Sequence, residues 1–233
     1  MRLDRYFSDL GFSRSEMKKE INHKKVKVNG VIVTDNSFNV TENDEITYKD
    51  EKIAYEKFVY YILNKPAGYV SARVDKLSKT VLELIDDMHD DLSPVGRLDK
   101  DTEGLLLITN DGEFLHNLMS PKKHVSKKYF AEIEGVVTED DIKKFKEGLD
   151  IGDEKNAASA NLEILETNDN SSKIVVEIFE GRYHEVKRLF EAVGKKVTYL
   201  KRISIGNLEL PSDLELGQSI KVSKEDLIDK IYN

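Results

Sequence analysis

The run Gly96-Arg97-Leu98-Asp99-Lys100-Asp101-Thr102-Glu103-Gly104 is a polar knot with a glycine at each end. It lies between Pro94 and the strongly apolar Leu105-Leu106-Leu107-Ile108-Thr109. Loops held between rigid elements are common mounts for catalytic groups. A carboxylate there can serve as a nucleophile or a base, provided it stays ionised while shielded from water. Burial alone raises a carboxyl pKa, so such chemistry asks for a cation close by. By composition alone the run reads more readily as a charged turn, whose Asp and Thr hydrogen-bond local backbone. A second chemistry is open to the same stretch. Asp99, Asp101 and Asp111 are near one another in sequence, as carboxylates of a two-metal phosphodiesterase would be. The loop holds no histidine and its spacing is not that of a metal-binding loop, so no metal is expected.

The elements that must carry this knot can be read from periodicity. Phe58 to Leu63 is a strand run ended by Asn64-Lys65-Pro66-Ala67-Gly68. Thr80 to Ile85 reads as a short helix, and Leu105 to Thr109 as a strand closed by Asn110-Asp111-Gly112. Tyr129 to Ile133, Ala160 to Leu165 and Ile174 to Phe179 are further strands. Thr138 to Leu149 is a helix opened by a Thr138/Asp141 capping box. His184 to Val193 is helical, with Val186, Leu189, Phe190 and Val193 on one face. Strands predominate without a regular βαβ rhythm, which predicts a mixed, largely antiparallel α+β domain.

The first segment has a different texture. Leu3, Tyr6, Phe7 and Leu10 form one helical stripe stopped by Gly11, and Ser13-Arg14-Ser15-Glu16 is a capping box for a second helix bearing Met17 and Ile21. Val26, Val28, Val31 and Val33 flank Asn29-Gly30, a strong hairpin signal. Val40, Ile46 and Tyr48 suggest one or two more short strands, and the charged Lys49 to Lys57 reads as a linker. Two domains follow, a small N-terminal α/β domain with its linker over 1–57 and a larger one over 58–233.

Bulk properties narrow the classes. The chain has 233 residues, 39% hydrophobic and 34% charged, as a folded protein with a real core would. No apolar stretch nears the ~18 residues of a membrane span, and the start lacks the apolar core of a secretory signal, so no membrane partner and a cytoplasmic location are expected. Cysteine is absent, which removes disulfides, thiolate catalysis and cysteine-ligated zinc. A net charge of −8 argues superficially against a nucleic-acid partner, but phosphate contacts need a patch rather than a basic total. Residues 1–30 carry eight Lys/Arg against four Asp/Glu. Residues 182–202 hold Arg182, Lys187, Arg188, Lys195, Lys196, Lys201 and Arg202 against Glu185 and Glu191. The acidic excess lies elsewhere, as in Asp86-Asp87 and Asp90-Asp91.

The knot at 96–106 resembles the signature of the pseudouridine synthases, a GRLD-x-D-T-x-G-L segment that presents a catalytic aspartate. Three more segments agree in order. Asn64 to Gly68 resembles the family's first, structural motif, and Lys128-Tyr129-Phe130 the segment with the active-site tyrosine. Glu180-Gly181-Arg182-Tyr183-His184-Glu185-Val186-Lys187-Arg188-Leu189-Phe190 resembles the last motif, whose basic residue pairs with the aspartate. The correspondence spans residues 58 to about 210. Arg2-Leu3-Asp4-Arg5-Tyr6, Gly11, Ser13-Arg14-Ser15 and Val26 to Gly30 resemble the S4 RNA-binding domain.

The resemblance implies isomerisation of uridine to its C-glycoside without cofactor or metal. It places the nucleophile at Asp99, the cation at Lys187, the stacking tyrosine at Tyr129 and an apolar pocket wall at Val186. Asp101 and Thr102 are expected to brace the loop. Arg97 would hold a phosphate or fill the gap left by a turned-out base, with Arg182 and Arg188 as weaker phosphate contacts. Arg2, Arg5, Arg14, Lys18, Lys24 and Lys25 would bind the RNA backbone from the S4-like domain. An S4 domain ahead of this catalytic domain is the arrangement of the branch that modifies ribosomal RNA. Arg182 to Arg188 looks more like the 16S enzyme than the 23S enzymes, although Glu185 stands where glutamine is common. The implied partner is ribosomal RNA, 16S, either free or in a partly assembled subunit, bound by a monomer. The alternatives are a 23S enzyme, or a non-catalytic S4-type binding or ribosome-assembly factor, which would have no need of the trio Asp99, Tyr129 and Lys187.

Overall fold

The structure, a computed structural model, describes residues 1–41, 43–53, 56–87, 89, 91–119 and 125–233. Ala54 and Tyr55 of the predicted linker and Asp90 of the acidic stretch lie outside them. Contacts divide the described chain into two units, one of residues 1–58 with 86–92 and one of residues 59–85 with 93–233.

In the first unit, helix α1 (Leu3–Asp9) buries Leu3, Tyr6 and Phe7, the stripe that the 3.6-residue period predicts. Gly11 follows at φ 81° and turns the chain toward α2 (Arg14–Asn22), which buries Met17 and Ile21. The capping box expected at Ser13–Glu16 does not form. The Ser13 hydroxyl meets the nearer Ser15 hydroxyl at 3.0 Å instead. Strands β1 (Val26–Val28) and β2 (Val31–Ile32) pair antiparallel across Asn29 and Gly30, both at positive φ (51° and 78°), the type I′ geometry that matches strand twist. Strands β3 (Ile46–Tyr48) and β4 (Glu51–Ile53) complete a sheet of order β2-β1-β3-β4. The stretch read as a linker therefore contains a strand. Its turn, Lys49-Asp50, takes positive φ at both residues (53° and 67°) without glycine, and Asp50 is bonded to Lys27 Nζ at 2.6 Å. Helices and sheet close on one core that includes Phe7, Met17, Ile21, Val26 and Ile46.

The second unit runs β5 (Tyr60–Lys65), a single 3₁₀ turn (Val81–Leu84), β6 (Ser93–Val95), β7 (Glu103–Thr109) and α3 (Gly112–Met119). It continues with β8 (Lys127–Glu134), α4 (Glu139–Glu147), β9 (Asn161–Thr167), β10 (Ser171–Ile178) and α5 (Glu185–Ala192). It ends with β11 (Lys196–Ile205), β12 (Leu208–Glu209), β13 (Ser219–Val222) and α6 (Lys224–Tyr232). The predicted capping box at α4 forms, with the Thr138 amide donating to Asp141 at 2.8 Å. The sheet order is β13-β5-β7-β11-β8-β10-β9, with β6 on β7 and β12 on β11. Among the described strands every pairing is antiparallel except β7–β11, which is parallel at Glu103↔Lys201 and Gly104↔Arg202. The expected mixed, largely antiparallel α+β architecture is what the chain adopts.

Two features of this sheet position the site. All six residues of β5 are buried, including Asn64 and Lys65, which the sequence reading had assigned to the turn beyond the strand. Gly104 sits on the parallel seam at φ 100°, where a Cβ would run into the Arg202 carbonyl, so no other residue fits without moving a strand. One face of the sheet carries Tyr60, Ile62, Leu105 and Leu107 into a core with Phe114 of α3 and Leu227 and Ile231 of α6.

Candidate active site

Residues 96–102 connect β6 to β7 and are held by their main chain. Ser71 Oγ donates to the Leu98 carbonyl at 2.9 Å and accepts from the Leu98 amide at 3.0 Å. The Gly68 amide donates to the Lys100 carbonyl at 2.7 Å, and the Thr102 amide to the Asp99 carbonyl at 3.1 Å. Beneath them lies Lys65, with no solvent exposure. Its ammonium donates to the carbonyls of Thr102 (2.7 Å), Pro66 (3.1 Å), Asp99 (3.1 Å) and Lys100 (3.4 Å). Burial pushes this lysine down to about 8, against the pull of Asp101 and Asp99 nearby.

The Asp99 side chain rises from this floor into a cleft. Its Oδ2 lies 3.1 Å from Lys187 Nζ and its Oδ1 3.4 Å from His184 Nε2. Lys187 projects from the first turn of α5 and also holds both oxygens of Asp101, at 2.7 and 2.9 Å. Partial burial disfavours the Lys187 charge, but its bonds to Asp101 and Asp99 outweigh that and raise its pKa. Burial likewise opposes the charge of Asp101, and the bond to Lys187 overcomes it and keeps that carboxyl below its ordinary value. Tyr129 of β8 and Val186 of α5, 8% and 4% exposed, wall the cleft with Ile178 and Leu200. A carboxylate anchored by its backbone and faced by an ammonium, beside an aromatic and an apolar wall, can attack or deprotonate a sugar whose base is held in the cleft.

Asp99, Lys187, Tyr129, Val186 and Arg97 all line this one cleft. The Arg97 side chain is exposed at its edge, with no hydrogen-bond partner among the described residues. Arg182 and Arg188, expected as phosphate contacts, are each engaged within the chain. Arg182 is bonded to Glu180 at 2.9 Å and to the carbonyls of Lys155 and Asn156 at 2.6 and 2.9 Å. Arg188 is bonded to Asp153 at 2.5 Å, to the Ile151 carbonyl and to the Tyr183 carbonyl. Both guanidinium groups are spent on fixing the loop around residues 151–156. Asp101 also differs from expectation, because its carboxylate reaches Lys187 rather than bracing its own loop. Asp111 is parted from Asp99 and Asp101. It is buried at the start of α3, where it takes bonds from Tyr60 Oη (2.6 Å), Lys224 Nζ (2.7 Å) and the Phe114 amide (3.0 Å). The three-carboxylate reading therefore does not assemble.

In the first unit Arg2, Arg5, Arg14, Lys18, Lys24 and Lys25 are all exposed. Arg2 is paired with Asp4 at 2.8 Å and Arg5 with Asp9 at 3.5 Å. Two residues at the site escaped the sequence reading. Lys65 sits in a strand and bonds to backbone oxygens, which leave no trace in residue types. His184 lies within the last motif, three residues before its lysine, and its left-handed conformation (φ 50°), which turns it toward Asp99, carries no sequence signal in a residue other than glycine.

Comparison with known proteins bears on both units. The pattern of the S4 domain matches residues 1–46, and that of the RNA pseudouridylate synthases matches residues 59–192. The chain is 38% identical to the ribosomal small subunit pseudouridine synthase A of Haemophilus influenzae over 94% of both chains. It is 40% identical to the ribosomal large subunit pseudouridine synthase B of Bacillus subtilis, over 85% of this chain and 82% of that one. The crystal structure of a pseudouridylate synthase superposes with a TM-score of 0.69 at 36% identity, covering 99% of each chain. No described helix is long and apolar enough to cross a membrane. Likeness that runs the length of both units, over a cleft built on the loop that first suggested it, shows that this chain belongs to the RNA pseudouridylate synthase family and is a pseudouridine synthase with an S4 domain.

Proposed function

We propose that this protein converts a specific uridine of small-subunit (16S) ribosomal RNA to pseudouridine, with Asp99 acting on a turned-out nucleotide. The observation that carries the reading is the Asp99 carboxylate at 3.1 Å from the Lys187 ammonium in a cleft walled by Tyr129 and Val186. In the reaction the N1–C1′ bond breaks, the uracil turns, C5 bonds to C1′, and the C5 proton passes to solvent while N1 takes up a proton. The base returns to the same sugar, so nothing is oxidised and no group is lost. Lys187 pairs with the Asp99 carboxylate, Tyr129 stacks on the uracil, and Val186 fills the pocket wall. Extruding the nucleotide costs a few kcal/mol, which pocket contacts offset, and Arg97 holds the vacated or flanking backbone.

Residues 1–57 supply sequence-tolerant affinity through Arg2, Arg5, Arg14, Lys18, Lys24 and Lys25, and residues 58–233 supply the chemistry. The substrate is ribosomal RNA in the cytoplasm, and the choice of 16S follows the small-subunit relatives and the Arg182–Arg188 segment. The large-subunit relative at 40% identity favours a second reading, a 23S uridine. Pseudouridine mapping of ribosomal RNA from cells with and without the protein separates them. Asp99→Asn is expected to cut tritium release from C5-labelled uridine by about 10³-fold or more while RNA binding stays within about twofold. Full turnover by that variant would remove Asp99 from the mechanism.

A further inference from the structure

Beside the cleft stands an aromatic ring with no structural employment. Tyr183 is 76% exposed, although the residues on either side of it, Arg182 and His184, both line the cleft. Its ring is stacked on the His184 imidazole, with centroids 3.8 Å apart and planes at 19°. That imidazole in turn reaches Asp99 Oδ1 at 3.4 Å. One face of the tyrosine is covered by the histidine, and the other is offered to solvent.

The backbone under the pair is fixed to an unusual degree for an exposed turn. Arg188 donates to the Tyr183 carbonyl at 3.0 Å, and the Arg188 amide bonds to the His184 carbonyl at 3.0 Å. The Arg182 amide is held by the buried Glu185 carboxylate at 2.8 Å. Arg182 and Arg188 are tied through Asp153 to one loop. His184 is kept in the left-handed region, a conformation that costs a non-glycine residue energy and persists where surroundings enforce it. Two arginines that look free in the sequence are thus used to frame two adjacent rings.

We propose that Tyr183, backed by His184, is a stacking platform for an unpaired nucleobase next to the uridine under conversion. The proposal rests on the pseudouridine synthase reading and names a second subsite for its RNA. A turned-out uridine leaves its neighbours without a stacking partner on one side. An aromatic ring one imidazole away from Asp99 meets such a base at little entropic cost, because the tyrosine is already ordered. Every base has a π-face, so the contact tolerates sequence, and the order of magnitude of base–aromatic stacking corresponds to about tenfold in affinity. The hydroxyl has no part in it.

The chain contains no tryptophan, so Tyr183→Trp places a single indole on the platform. The probe is an unmodified 16S or 23S transcript, with a fully paired duplex as control. The expected result is quenching of the indole emission by about twofold or more on adding the transcript, with none from the duplex. Tyr183→Ala is expected to weaken transcript binding about tenfold with an unchanged melting temperature, whereas Tyr183→Phe binds as the wild type. An indole blind to transcript, or a Tyr183→Ala variant that binds as the wild type, overturns the platform. The reaction reading fails separately, by a wild-type protein that makes no pseudouridine. Quenching of the Tyr183→Trp indole by transcript would still support the stacking site.

Discussion

The loop bearing Asp99 is gripped by two ammonium groups from opposite sides, and they are held in opposite ways. Below it, Lys65 is sealed from water and faces carbonyl oxygens, which bear no net charge. Above it, Lys187 is partly exposed and faces two carboxylates. Buried without a counter-anion in contact, Lys65 loses affinity for its proton. Surrounded by anions, Lys187 gains it. The contrast separates two uses of one side chain. A cation that reads main-chain oxygens sets where the loop is, whereas a cation that reads carboxylates sets what the loop's acid can do.

The comparison can be broken most sharply at the upper lysine. Lys187→Ala should lower single-turnover pseudouridine formation by about 10²–10³-fold, with a melting temperature close to wild type. Lys65→Met should show the reverse balance. It takes the donor from the Thr102 carbonyl, so unfolding should become easier by about 1–3 kcal/mol in denaturant titration, with activity down about tenfold. Equal losses of activity and stability in both variants would erase the distinction.

Raising the pH distinguishes them further. The folded value of Lys65 is depressed to about 8, below the ordinary 10.5. The cost of burying its charge is therefore present in full below about 8 and fades up to about 10.5, so this group alone makes stability rise with pH in that window. Lys187 has a raised value, so its contribution is fully present up to the ordinary lysine value and is lost only above it. Melting curves between pH 7.5 and 10.5 should show the wild type gaining relative to Lys65→Met. Activity in the same window should fall in the wild type as the loop loses its charged donor. The smallest effect is expected at Asp101, the second anion on Lys187. Asp101→Asn leaves Lys187 to Asp99 alone and should change the single-turnover rate by about two- to fivefold.

What could be read in advance follows the same division. Asp99, Tyr129 and Lys187 were legible because each lies in a run of residue types with a fixed order along the chain. The Asn29-Gly30 turn and the Thr138 cap were legible because their partners are at most three residues apart. Lys49-Asp50 was not, since neither residue advertises a positive φ. Arg182 and Arg188 looked like free cations because most of their partners, Asp153 and the carbonyls of residues 151–156, lie 26 to 37 residues away. Strand β11 was hidden by Lys196, Lys201 and Arg202, whose charges mask the buried Leu200 and Ile205. The run holding Lys65 was legible as a structural motif, but not the bonds this lysine makes, since a carbonyl nest can be built from any sequence.

The seam at Gly104 has a mechanical corollary. Asp99 rides on the half-sheet of β5, β6 and β7, whereas Tyr129 and the helix bearing Lys187 ride on the half built from β8, β10 and β11. The strands at the border of the halves, β7 and β11, pair in parallel at two positions, one of which is Gly104 with Arg202. The two sets of reacting groups therefore stand on either side of one seam, and that seam has no room for a side chain at position 104. A methyl group there would displace one of the two border strands without altering any atom that meets the RNA.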